Sequence, residues 1–164
     1  THFEDGYVCD LCQDNHPGNQ YANVMSCASR QVVDFVNWLK EQPFYENTTI
    51  VIVGDHLTMD SDFCKDVPEE YTRGVYNAII NAPIVPVNQK NRQATTMDMF
   101  PTTIAALGAQ IEGERLGLGT NLFSAEPTLA EKVGLDVLNG EVRKRSVFYE
   151  QLAGDEKVDD SVLD

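Results

Sequence analysis

Thr49-Ile50-Val51-Ile52-Val53-Gly54-Asp55-His56 runs four β-branched apolar residues into a glycine and then sets a carboxylate beside an imidazole. An uninterrupted run of this kind is what a strand covered on both faces requires, so the segment predicts one strand of a mainly parallel sheet in an α/β fold. In open α/β sheets ligands bind beyond the carboxyl ends of the strands. A hard oxygen donor next to a nitrogen donor at that edge suits Zn²⁺ or Mn²⁺. The plainer alternative is a capping Asp and a surface His in a strand-to-loop turn.

Upstream, Tyr21, Val24, Ala28, Val32, Phe35 and Leu39 recur at steps of three and four, which predicts one helical face ending near Gln42-Pro43. A long helix, a short loop and an apolar strand form the second half of a βαβ unit. Downstream, residues 57–73 read as a polar loop that includes Asp60, Asp62, Asp66, Glu69 and Glu70. Val75 to Ile80 reads as a strand, and Ile84 to Val87, interrupted by proline, as an edge strand or extended segment. Met97 to Gly108 reads as a helix with an early proline, a closing glycine and Asp98 as its N-cap. Gly117-Leu118-Gly119-Thr120 lacks the spacing and the Lys-Ser/Thr of a phosphate-cradling loop and reads as a turn before Leu122-Phe123. Thr128 to Arg145 predicts a helix or helix pair bent at Gly134 and Gly140, and Glu150 to Asp164 an acidic, frayed tail.

The 164 residues suffice for one domain with a core, and the 42% apolar content is that of an ordinary globular chain. The formal charge of −14 argues against nucleic acid as a partner and against charge-driven adhesion to anionic lipid. No stretch of about 18 apolar residues is present to span a membrane. The start at Thr1-His2-Phe3, without Met, suggests a piece of a larger protein. Cys9-x-x-Cys12 fits half of a zinc site, a redox pair or a disulfide, but Cys27 and Cys64 are not a second close pair. Cys27 falls near the buried stripe of the long helix and is also readable as core.

Four segments in order carry a resemblance: Thr1-His2-Phe3; Pro43-Phe44-Tyr45-Glu46-Asn47 leading into Gly54-Asp55-His56; Asp98-Met99-Phe100-Pro101-Thr102-Thr103; and Arg115-Leu116-Gly117-Leu118-Gly119-Thr120-Asn121-Leu122-Phe123. Residues 1–125 resemble the C-terminal half of the catalytic domain of lipoteichoic acid synthases and phosphoglycerol transferases. Those enzymes belong to the alkaline phosphatase and sulfatase superfamily. The last segment is most similar to the phosphoglycerol transferase branch. The resemblance implies the C-terminal portion of an alkaline-phosphatase-like three-layer sandwich, with residues 126–164 a helical appendage and acidic tail.

It further implies that Asp55 and His56 are ligands of a divalent metal, Mn²⁺ or Zn²⁺ with Mg²⁺ as a third option, and that His2 faces the substrate phosphate. His16 matches no family motif and reads as a turn residue. The family's nucleophilic Thr and a Glu ligand belong to strands upstream of the segment matched by His2, as do its membrane helices. The implied activity is transfer of glycerol phosphate from phosphatidylglycerol to a glycan or polyglycerol phosphate acceptor, through a Thr-linked intermediate, on the extracellular face of a bacterial membrane. Outside the cell, disulfides become the expected state of the cysteines. The fragment by itself is expected to be inactive and to self-associate through a surface that the rest of the domain would cover. The competing assignments are a sulfatase, a phosphoethanolamine transferase, or a non-catalytic α/β binding module.

Overall fold

The computed structural model describes residues 6–88 and 90–153. The chain divides into two compact units, one of Thr1–Ile84 with Ala106–Gly108, the other of Val85–Ala105 with Ala109–Asp164.

In the first unit, helix α1 (Gln20–Lys40) opens at Asn19, whose side chain accepts the Ala22 N–H at 2.9 Å. It buries Tyr21, Val24, Cys27 and Val36. The expected stripe is therefore covered mainly over its first half, with Cys27 inside and Ala28 exposed. Val32 and Phe35 face outward, and Phe35 stacks on Trp38 with centroids 5.7 Å apart.

Strand β1 (Ile50–Val53) pairs with β2 (Asn77–Ile80) in antiparallel register, Ile50 opposite Ile80 and Val53 opposite Asn77. This corrects the expected mainly parallel sheet. Both strand pairs among the described residues are antiparallel, and β1 is half-buried rather than covered on both faces. The reason lies in the connection. A parallel partner needs a crossover, usually a helix, to bring the chain back to the same end. Residues 54–76 contain no helix, so the chain returns directly alongside β1. An apolar run alone does not encode which way its neighbour runs. The far end of the pair is tied by Asn81, in the left-handed region at φ 60°, whose amide donates to the Tyr45 and Thr48 carbonyls at 2.7 and 2.9 Å.

Of the two readings of residues 84–87, an edge strand or an extended segment, no strand forms: Ile84 and Val87 are bends on either side of Val85-Pro86. In the second unit Val87 donates its N–H to the Phe123 carbonyl at 2.9 Å. A short 3₁₀ turn (Thr96–Asp98) leads into α2 (Met99–Ala106). Thr95, and not Asp98, is the N-cap; Asp98 is the reciprocal member of a capping box. Its carboxylate is 2% exposed and does more than cap: Oδ2 accepts the Thr95 N–H at 2.8 Å, and Oδ1 accepts the Thr120 N–H at 2.8 Å. Thr102 adds a second tie, donating to the Asp98 carbonyl at 2.6 Å and accepting from the Leu122 N–H at 2.9 Å. Thr120 lies in β4 (Gly119–Thr120), which pairs with β3 (Arg115–Leu116). Gly119 is required here, because a Cβ would sit 2.0 Å from the Met97 carbonyl oxygen.

Helices α3 (Leu129–Val133) and α4 (Leu135–Val142) break at Gly134 as the sequence predicts, whereas α4 runs through Gly140 without the second expected bend, and α5 (Val147–Ala153) follows. Thr128 and Glu131 form a capping box on α3. Glu131 also takes a two-pronged grip from Arg92, with Nε and Nη2 at 2.7 and 2.9 Å. The same guanidinium donates to the Ser124 and Glu126 carbonyls at 2.9 and 2.8 Å, which binds the loop before α3 to residue 92.

The Arg92 hydrogen bonds hold the Glu131 pKa down to about 2. A lowered folded pKa stabilises the native state above the unfolded value of about 4.3, and the contribution disappears as pH falls through about 2. Glu131→Gln should therefore lose about 1–3 kcal/mol of stability at pH 7. Urea unfolding followed from pH 7 to pH 3 should show a flatter pH slope for the variant than for the parent, and parallel slopes would contradict this.

Candidate active site

The strand β1 ends at Gly54, whose N–H donates to the Tyr76 carbonyl at 2.8 Å. A Cβ on Gly54 would stand 3.0 Å from the Val75 Cβ, so the returning segment crosses close over this residue. The chain then turns outward, and Asp55 and His56 both line a pocket of about 670 Å³ in the first unit. The pair thus lies just beyond the end of β1 and lines one cavity, although the strand pair it follows is antiparallel.

The two side chains are held in a defined relation. Asp55 Oδ1 accepts the His56 N–H at 2.9 Å. His56 Nδ1 lies 2.7 Å from the Leu57 carbonyl oxygen. A carbonyl only accepts, so Nδ1 is the donor in this contact. Metal-binding imidazoles are oriented in this way by a backbone or carboxylate acceptor on the other nitrogen. Nε2 is 3.5 Å from Asp55 Oδ2. Two donors each about 2.1 Å from a shared tetrahedral ion stand about 3.4 Å apart. The donor set and its spacing thus fit a divalent ion. Both side chains are accessible, Asp55 at 75% and His56 at 44%.

The rest of the pocket is built by the 57–73 loop against α1. Tyr21 donates to or accepts from the Thr58 hydroxyl at 2.6 Å, and its ring meets Phe63 at 4.7 Å. Asp60 accepts the Phe63 N–H at 2.8 Å and so folds the loop locally, in keeping with its reading as a polar loop residue. Arg73 was not singled out by the sequence. It is half-buried, lines the same pocket and donates to the Thr58 carbonyl at 2.7 Å. One bond of this kind leaves most of a guanidinium's five donors for an anion. No local motif marks Arg73; only the return of the chain beside β1 brings it to the Asp55-His56 end.

His2, expected against the substrate phosphate, lies outside the described residues. His16 sits in the turn before α1, its ring 3.0 Å from the Ser26 hydroxyl and its N–H bonded to Asn23, as expected of a turn residue. Among the described residues no helix is long and apolar enough to cross a membrane.

Because Asp55 and His56 are accessible and outside the packed interior, Asp55→Asn and His56→Ala should change stability by no more than about 0.5 kcal/mol. Either should weaken Mn²⁺ binding at least about tenfold. Circular dichroism with Mn²⁺ titration followed by electron paramagnetic resonance tests both halves. Undiminished binding in either variant would remove that residue from the ligand set.

Residues 2–109 match the protein-family model described as Sulfatase. Similar curated proteins include phosphoglycerol transferase I of Citrobacter koseri, 26% identical over 132 residues, and that of Salmonella choleraesuis, 27% identical over 138. Phosphoglycerol transferase I of Escherichia coli is 28% identical over 138 residues. In each case the alignment covers 77% of this chain and 17% of the relative. The chain thus spans about a sixth of the length of these relatives. No solved structure matches.

Proposed function

The chain belongs to the sulfatase family, and from that premise we propose that it is the metal-ligand end of a phosphoglycerol transferase. The observation that supports this most directly is the 3.5 Å pair of Asp55 Oδ2 and His56 Nε2 at the mouth of the β1 pocket. The relatives named phosphoglycerol transferase I favour that branch over sulfate-ester hydrolysis.

In this reading Asp55 and His56 hold Mn²⁺ or Zn²⁺, with Mg²⁺ the weaker match to an imidazole donor. An ion held there would supply Lewis-acid neutralisation of phosphoryl oxygens and lower the pKa of a hydroxyl nucleophile. Asp55 orients the pair through the His56 N–H, and the Leu57 carbonyl keeps the proton on Nδ1. Arg73 offers its remaining N–H donors to the non-bridging oxygens of the phosphodiester. His2 stabilises phosphate charge or relays a proton to the leaving oxygen. The nucleophile is a Thr from a part of the longer protein outside this chain; Thr58, the threonine in the pocket, has its hydroxyl engaged by Tyr21. Phosphatidylglycerol is the donor, a glycan or polyglycerol phosphate the acceptor, and the extracellular face of a bacterial membrane the place. The exposed ridge of Phe35 and Trp38 on α1 is then a surface for the rest of the catalytic domain, or for a second copy when this chain is isolated.

The full-length protein, incubated with phosphatidylglycerol and Mn²⁺, should release diacylglycerol. His56→Ala or Asp55→Ala should lower that rate more than about a hundredfold. The 164-residue chain alone should not exceed a metal-only control. Full activity of the His56→Ala enzyme would overturn the assignment. Hydrolysis of an aryl sulfate without diacylglycerol release would move the protein to the sulfatase branch.

A further inference from the structure

Away from the Asp55-His56 pocket, three of the four cysteines converge. Cys9 Sγ lies 3.7 Å from Cys12 Sγ and 3.8 Å from Cys27 Sγ, and all three sulfurs fall within 4.8 Å of one another. Two sulfurs of a disulfide are about 2.05 Å apart. Two thiolates each about 2.3 Å from one tetrahedral Zn²⁺ are about 3.8 Å apart. Both Cys9 spacings match those of ligands around an ion, and the third pair stays within 4.8 Å.

The backbone supports the same reading. Cys9 and Cys12 embrace a tight turn, with the Cys12 N–H on the Cys9 carbonyl at 2.9 Å and the Cys9 N–H on Cys12 Sγ at 3.4 Å. The Leu11 N–H, together with the neighbouring thiols and the Cys12 N–H, lowers the Cys9 pKa. The Cys9 N–H favours the Cys12 thiolate, but burial and the sulfurs of Cys27 and Cys9 raise its pKa on balance. The turn thus aims the Cys9 N–H at the Cys12 sulfur, the kind of backbone donor that orients a thiolate ligand.

We propose that Cys9, Cys12 and Cys27 form a three-thiolate zinc site that fastens the N-terminal loop to helix α1. Among the described residues no fourth protein ligand joins the cluster, so the remaining position falls to water or an added thiol. Such a site would add to the polar ties that already hold the loop to α1. Tyr7, Val8 and Leu11 are 78%, 50% and 61% exposed, so residues 7–11 bury little apolar surface. Its direct ties to α1 include Arg30 on the Leu11 carbonyl at 2.7 Å and Asn23 on Asp14 at 2.9 Å. Cys27, buried within α1, supplies a rigid anchor, while the half-buried Cys9 and Cys12 close from the outside. Cys64 belongs to the other loop and has no part in the site.

The test uses the full 164-residue chain carrying Asp55→Asn and His56→Ala, reduced and held without oxygen, so that the other candidate site is silent. Titration with Zn²⁺ under native mass spectrometry should give a one-to-one complex. Co²⁺ in its place should show the sulfur-to-metal charge-transfer absorption of thiolate ligation. Cys9→Ser and Cys12→Ser should each weaken binding at least about tenfold, with a smaller charge-transfer band, and Cys64→Ser should change neither. Cys9 is the decisive position, because Cys27→Ser lies in the helix core and could unfold it. Equal affinity in Cys9→Ser, absence of the charge-transfer band, or a Cys12–Cys27 disulfide in protein that takes up no zinc once reduced would each overturn the site.

Discussion

The close passage of residues 75–76 over Gly54 is the constraint on which the first unit depends. The Gly54 N–H bonds to the Tyr76 carbonyl, and the space where a side chain would stand is filled by Val75. That contact marks where β1 stops, and the next two residues line the pocket. The antiparallel return of β2 that makes this contact also carries Arg73 back toward the end from which Asp55 and His56 project. The donor pair and the neighbouring cation are thus products of one backbone crossing, not of separate loops that happen to meet. A larger residue at position 54 would move both.

The second unit is organised by a buried carboxylate. Asp98 satisfies the start of α2 through Thr95 and the edge of the β3–β4 hairpin through Thr120. Buried charge is tolerated where every oxygen has a donor, and each Asp98 oxygen has one. Two sequence segments that read as separate motifs, Asp98 to Thr103 and Arg115 to Phe123, are therefore one physical feature: the first provides the acceptors and the second the N–H groups that need them.

The sequence made the elements legible more readily than their pairing. The three-and-four periodicity located α1, and the run from Ile50 located β1, because apolar spacing reports the repeat of the backbone, although it overstated burial: Ala28, Val32 and Phe35 are exposed and β1 is only half-buried. Gly134 marked the break between α3 and α4 for the same local reason. Strand direction was not legible, since the four residues of β1 would look alike beside a parallel or an antiparallel partner. The role of Asp98 was half legible: an acid at a helix start suggests a cap, whereas its reach to Thr120 depends on a contact 22 residues away. Asp55 and His56 could be named because adjacent donors at a strand end form a local signal. Arg73 could not, and neither could the approach of Cys27 to the Cys9-Cys12 turn, since α1 must first be laid against the loop.

The account stands on Asp55 and His56 sharing one ion. Diffraction data from the full-length protein soaked in Mn²⁺, collected at the manganese absorption edge, address this without recourse to activity. The account predicts an anomalous peak about 2.0–2.3 Å from both Asp55 Oδ2 and His56 Nε2, with His56 Nδ1 still on the Leu57 carbonyl. A bound ion elsewhere in the catalytic domain, with both side chains turned away from it, would contradict the account.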